Sequence, residues 1–158
     1  MKYARLTKEQ FEELHQEFIN FLATQSITVD EWTNLKVNSP GLAETELDVF
    51  SDLIWEGVLN TAKYLENISA QQLFLFYLAE NQMKLISVRI LDDSMDITTP
   101  TGYKWLQDNF NSDDVQFYHA SKNYSDDKNG DVFSLIKQGA NITKGGLYNF
   151  FNKIINPS

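Results

Sequence analysis

The sequence predicts an α+β fold, and three observations carry that expectation. Apolar residues recur at helical spacing through the first 60 positions, strand-like alternation then replaces them, and an apolar helix pattern returns near the end. The expected architecture is an N-terminal helical part, residues 1–60, packed on a small, mostly antiparallel sheet. Residues 61–158 supply that sheet and the C-terminal helices, and the whole forms one domain.

Thr7-Lys8-Glu9-Gln10 has the form of a capping box, in which a hydroxyl residue and a Glu or Gln three positions later satisfy each other's backbone N–H. Phe11, Leu14, Phe18, Phe21 and Leu22 follow at helical spacing, so a helix is expected over about 7–24. Thr28-Val29-Asp30-Glu31 repeats the box before Trp32 and Leu35, which gives a short second helix ending near Asn38. Pro40 then sits where a first turn tolerates it, ahead of Ala43, Leu47, Phe50, Ile54, Gly57 and Val58 on one stripe of a long third helix.

Beyond Asn60, Ile86, Val88 and Ile90 alternate with Leu85, Ser87 and Arg89, the period of a strand with one mostly apolar face. Leu73 to Leu78 is apolar throughout, which suits a central strand covered on both sides. Ser69-Ala70-Gln71-Gln72 is also a capping-box pattern, so a buried helix over 70–79 stays open as the alternative. Glu80-Asn81-Gln82 is the expected turn, and Lys63 to Ile68 a third strand. Thr99-Pro100 opens a helix through Tyr103, Trp105 and Leu106, and Val115 to Ala120 reads as a further strand. Asp131 to Gln138 reads as a helix with Gly139 as its left-handed terminator, and Thr143 is expected to cap a last helix carrying Leu147, Phe150, Phe151 and Ile154.

Composition narrows the function classes. A chain of 158 residues, 42% hydrophobic, can bury enough apolar surface to fold without metals or crosslinks. It contains no cysteine, which rules out a disulfide framework, a thiolate metal site and a cysteine nucleophile. The N-terminus lacks a signal-peptide pattern, and the longest apolar run is far below the roughly 20 residues of a membrane span, so a cytoplasmic location is expected. Net charge is −9, concentrated where residues 1–60 hold 4 basic against 11 acidic side chains. Nucleic-acid phosphates and anionic membranes would both be repelled, so neither is an expected partner.

The segments Met1-Lys2-Tyr3-Ala4-Arg5-Leu6-Thr7, Glu46-Leu47-Asp48-Val49-Phe50 and Gly139-Ala140-Asn141-Ile142-Thr143-Lys144 carry a family likeness. Over nearly its full length the chain resembles a family of short, uncharacterised bacterial proteins of flavobacteria and their relatives. That resemblance implies a cytoplasmic bacterial protein and brings no activity, cofactor or catalytic residue with it.

Candidate motifs weaken on inspection. Glu12-Glu13-Leu14-His15 holds one Glu-x-x-His, whereas a di-iron bundle needs two, and the chain has only one other histidine. That residue, His119, shares strand parity with Val115 and Phe117 and is the one candidate for a pocket. Ser125, Asp127, Asn129 and Gly130 match the start of a calcium loop, but position 12 is Ile136, so a polar turn before the next helix is the better account. Asp92, Asp93 and Asp96 suit turn chemistry. Lys144, Gly145 and Gly146 do not make a phosphate-cradling loop, because the order of glycine and lysine is wrong. No metal and no cofactor is implied.

Glu44, Asp48, Asp52 and Glu56 follow one another at i, i+4 spacing along the third helix. Like charges at that spacing repel by a few tenths of a kcal/mol per pair, so a cation against the stripe would relieve it. The expected function is therefore a non-enzymatic interaction or regulatory module, its acidic face bound by a basic segment of another protein or of a second copy. The alternative is a small-molecule binder or enzyme with a pocket between sheet and helices, marked by His119.

Overall fold

A computed structural model of the chain describes residues 1–157. The chain divides into two compact units, Met1–Asn60 and Thr61–Ser158. The first is helical and the second carries the sheet, so the fold class is α+β.

In the helical unit, α1 (Lys8–Glu13) and α2 (His15–Thr24) stand where one helix was expected. Leu14 departs from helical dihedrals at φ −99°, ψ 24°. The bend brings Phe11 and Phe18, from different helices, onto the same ring: their centroids lie 5.9 and 5.0 Å from that of Phe50. Both capping boxes form, at Thr7 and at Thr28, the latter opening α3 (Val29–Asn38). The long α4 (Pro40–Thr61) buries Ala43, Phe50, Ser51 and Leu59, while Val58 of the expected stripe is 38% exposed. Leu6, Phe18, Phe21, Leu22 and Phe50 form the buried core of this unit, with Trp32 edge-on to Phe18 at 5.2 Å.

In the second unit, β1 (Tyr64–Ser69), β2 (Gln72–Leu78), β3 (Gln82–Ile90), β4 (Val115–Asn123) and β5 (Asn141–Thr143) form one antiparallel sheet in the order β4-β3-β2-β1-β5. Residues 72–78 are a strand and not a helix, with Leu73 and Leu75 buried at one parity and Phe76 and Leu78 at the other. That double burial explains why the run is apolar at every position. The short β5 follows no expected element: three residues are too few to show alternation.

Three helices complete this unit. In α5 (Pro100–Asn109) Thr99 is the N-cap, its hydroxyl accepting from the Gly102 amide. The next, α6 (Lys128–Lys137), begins three residues earlier than expected because the Asp127 carboxylate caps it through the Gly130 amide. The last, α7 (Gly146–Ile155), has Gly145 and not Thr143 as its N-cap; Thr143 belongs to β5, and its hydroxyl accepts from the Gly145 amide. Gly145 is left-handed at φ 86°, and a Cβ there would lie 2.5 Å from the Tyr64 ring, so glycine serves both the turn and the close approach. From this helix Tyr148 and Phe151 enter the core with Leu73, Leu75, Ile86, Val88, Ile90 and Leu106, whereas Phe150, expected inside, is 46% exposed.

Candidate functional site

Strand register builds the site. Cα partners run Thr143 to Tyr64, Tyr64 to Tyr77, Tyr77 to Lys84 and Lys84 to Ser121, a single row across all five strands. Directly paired residues of an antiparallel sheet point to the same face, so this row presents two phenols and an ammonium between two hydroxyls. In the neighbouring row on the same face, Ile86 pairs with His119.

Helix α7 lies over that face. Asn149 and Asn152 fall at i, i+3 on one side of the helix, and Asn156, its C-cap, bonds to Asn152. Between row and helix lies a cavity of about 410 Å³, lined by Tyr64, Tyr77, Lys84, His119 and Ser121 from the sheet and by Tyr148 and the three asparagines from the helix and its C-cap. Its volume falls within the range of small-molecule sites. Among the described residues no side-chain carboxylate lines it.

The three tyrosines pack on one another, with ring centroids 5.2 Å apart for Tyr64–Tyr77, 5.8 Å for Tyr64–Tyr148 and 5.7 Å for Tyr77–Tyr148. Tyr148 is 7% exposed, and its hydroxyl has no hydrogen-bond partner among the described residues. Burial, reinforced by Tyr64 and Tyr77, pushes its phenol above the usual value, so at neutral pH it is an uncharged donor. Lys84 is half-buried and enters no ion pair among the described residues. Asn152 accepts from the Asn156 amide at 2.9 Å, which fixes two of the three carboxamides relative to each other. His119 is exposed on the edge strand, and no hydrogen bond joins it to Ser121, so the cavity holds no activated nucleophile of the Ser–His type.

A second cavity, also about 410 Å³, opens on the opposite face of the sheet, between Phe76, Met83 and Leu85 and the α6 residues Ser134 and Leu135. Two of its polar groups are engaged: the Tyr124 hydroxyl donates to the Ala79 carbonyl at 2.8 Å, and Asp131 accepts from the Ser125 amide and hydroxyl. The loop that resembled a calcium site is thus a capping network for α6.

The acidic stripe lies elsewhere, in the helical unit, and it is not bare. Arg5 donates through Nε and Nη2 to Asp48 Oδ1, at 2.8 and 2.6 Å, and through Nη1 to Glu44. The Asp52 carboxylate accepts from the backbone amides of Lys2 and Tyr3, at 2.7 and 2.8 Å, and Glu56 accepts from the Tyr3 hydroxyl at 2.5 Å. The sequence reading looked to another chain for a cation; Arg5 of the same chain supplies one positive charge to Glu44 and Asp48, and neutral donors meet Asp52 and Glu56. The physical reason is local, since residues 2–5 run along α4 after Leu6 is buried and its amide is held by Ser51 Oγ at 3.1 Å. Asp92 and Asp96 also serve the chain, accepting from Ser94 and Thr98, bonds that hold both carboxyls below their usual value. Among the described residues no group of three or more His, Asp or Glu side chains is placed to hold a metal, and no helix is long and apolar enough to cross a membrane.

The model of a family of unknown function, DUF6495, matches residues 1–156. The chain belongs to that family. No curated protein and no solved structure matches it. Within this DUF6495 member, sequence reasoning named His119 alone among the residues around the tyrosine-lined cavity. The asparagines at 149 and 152 beside an apolar stripe were a readable signal of a polar helix face turned toward something other than bulk core. The tyrosine row was not readable, because it depends on strand register across four pairings.

Proposed function

We propose that this DUF6495 protein binds a small molecule in the cavity between the tyrosine row and α7. The observation that carries the reading is Tyr148. Tyr148 is 7% exposed and lines the cavity, and its hydroxyl, without a hydrogen-bond partner among the described residues, is available to a bound molecule. Neighbouring donors and acceptors from two elements converge on the same space, which suits recognition of a polar molecule. Binding is the function proposed and not catalysis, since His119 lacks a hydrogen-bonded nucleophile to activate.

Tyr148→Phe removes the hydroxyl and little else. The full chain is incubated with a deproteinised bacterial metabolite extract, separated by gel filtration, and its retained small molecules are identified by mass spectrometry. The parent should retain at least one compound that Tyr148→Phe retains at least fivefold less. Retention of nothing by the parent, or equal retention by the variant, would overturn the reading.

A further inference from the structure

Resting on that cavity, we infer that its ligand is a small organic monoanion, a hydroxylated or aromatic carboxylate, whose charge is taken by Lys84. The lining supplies a charge argument. On a chain with net charge −9, this cavity has an ammonium in its wall and, among the described residues, no side-chain carboxylate. Lys84 lines the cavity and enters no ion pair among the described residues, so its ammonium is available to an anion that enters there. The nearest acid by register, Glu66, stands two residues along β1 from Tyr64, outside the lining, and burial pushes its carboxyl above the usual range. It is a poor counter-ion for Lys84.

The remaining lining fixes the class. Tyr64, Tyr77, Tyr148 and Ser121 offer hydroxyl donors, and Asn149, Asn152 and Asn156 offer both donors and acceptors. One fixed positive charge balances one negative charge, which suits a carboxylate better than a phosphate dianion; no arginine is present to grip a phosphate bidentately. The carboxamides would read hydroxyl or amide groups on the rest of the ligand. Lys84 lies between Tyr77 and Ser121 in the row, so the carboxylate would sit over the middle of the sheet with its body toward α7.

The test is titration calorimetry of the full chain at low salt with 4-hydroxybenzoate, gluconate and lactate, each beside its neutral primary amide, and with inorganic phosphate. At least one carboxylate should bind with a Kd below about 1 mM, its amide and phosphate each at least tenfold more weakly. Lys84→Gln should weaken that carboxylate at least tenfold and Lys84→Arg should restore most of it, with melting curves confirming that both variants fold. If an amide binds as tightly as its acid and depends on Tyr148 but not on Lys84, the anion inference fails and the cavity reading stands. Carboxylate binding indifferent to both Lys84→Gln and Tyr148→Phe sinks both readings. No binding by any of the three carboxylates, or tighter binding of phosphate, overturns the monocarboxylate assignment.

Discussion

Asp52 shows how much one side chain can do when its partners are backbone groups. Its two oxygens hold two successive amides, Lys2 N and Tyr3 N, which ties the first residues of the chain to α4. Bonds of a charged acceptor to backbone donors contribute about 1–3 kcal/mol. Asp52→Ala should therefore cost about 1–2 kcal/mol in urea denaturation, whereas Glu44→Ala, which loses one exposed contact to Arg5, should cost under about 1 kcal/mol. Glu66 makes the opposite case. Burial raises its carboxyl's folded-state value, so its contribution is neutral where the group is protonated in both states and becomes a liability as pH rises through and above the usual carboxylate range. Glu66→Gln should raise the Tm at pH 7 and leave it nearly unchanged near pH 4; an equal shift at both pH values would contradict this account. At this scale the four carboxylates were legible from spacing alone. Their partner was not, because Arg5 is separated from Asp48 by 43 positions and nothing local announces that contact.

Helix α7 is the element on which both core and cavity depend. Its N-cap was read two residues early because Thr143 looks like one, yet that residue is held in β5 by pairing with Tyr64. Gly145 is what the turn requires. Gly145→Ala would combine a left-handed backbone with a Cβ driven into the Tyr64 ring, and it should cost more than about 1 kcal/mol and disturb the tyrosine cluster. Phe151, 2% exposed and 5.9 Å from the Phe117 ring, anchors the inner face. Phe151→Ala should cost about 3–5 kcal/mol, and Phe150→Ala, on the exposed side, well under half of that; chemical denaturation of the two variants separates them. The helix's apolar stripe was legible in the sequence, but its phase was read one position away. With Leu147 and Ile154 half-buried, Tyr148 and Phe151 define the buried side.

At the scale of the molecule, the α+β class and the antiparallel sheet were readable because both rest on local periodicity. Helices over 29–38 and 40–61 and strands over 64–90 lie within a few residues of their expected limits. What eluded the sequence is every feature made by partners distant along the chain: the closing of β5 on β1, the row of side chains across five strands, and the hold of residues 2–5 on α4. Single-chain patterns carry spacing, and register between elements far apart in sequence is a property of packing.

The pairing of Thr143 with Tyr64 has a kinetic consequence. Strands β1, β2 and β3 are joined by short turns, so they can assemble with little loss of chain entropy, whereas β5 must return across almost eighty residues before α7 can dock. Tyr148 meets Tyr64 and Tyr77 only after that return, so the tyrosine cluster is a reporter of the final step of maturation. In stopped-flow refolding, far-ultraviolet circular dichroism should recover ahead of the near-ultraviolet tyrosine signal. A ligand bridging Lys84 and α7 would slow unfolding by acting as a clasp on the last contact made and the first released.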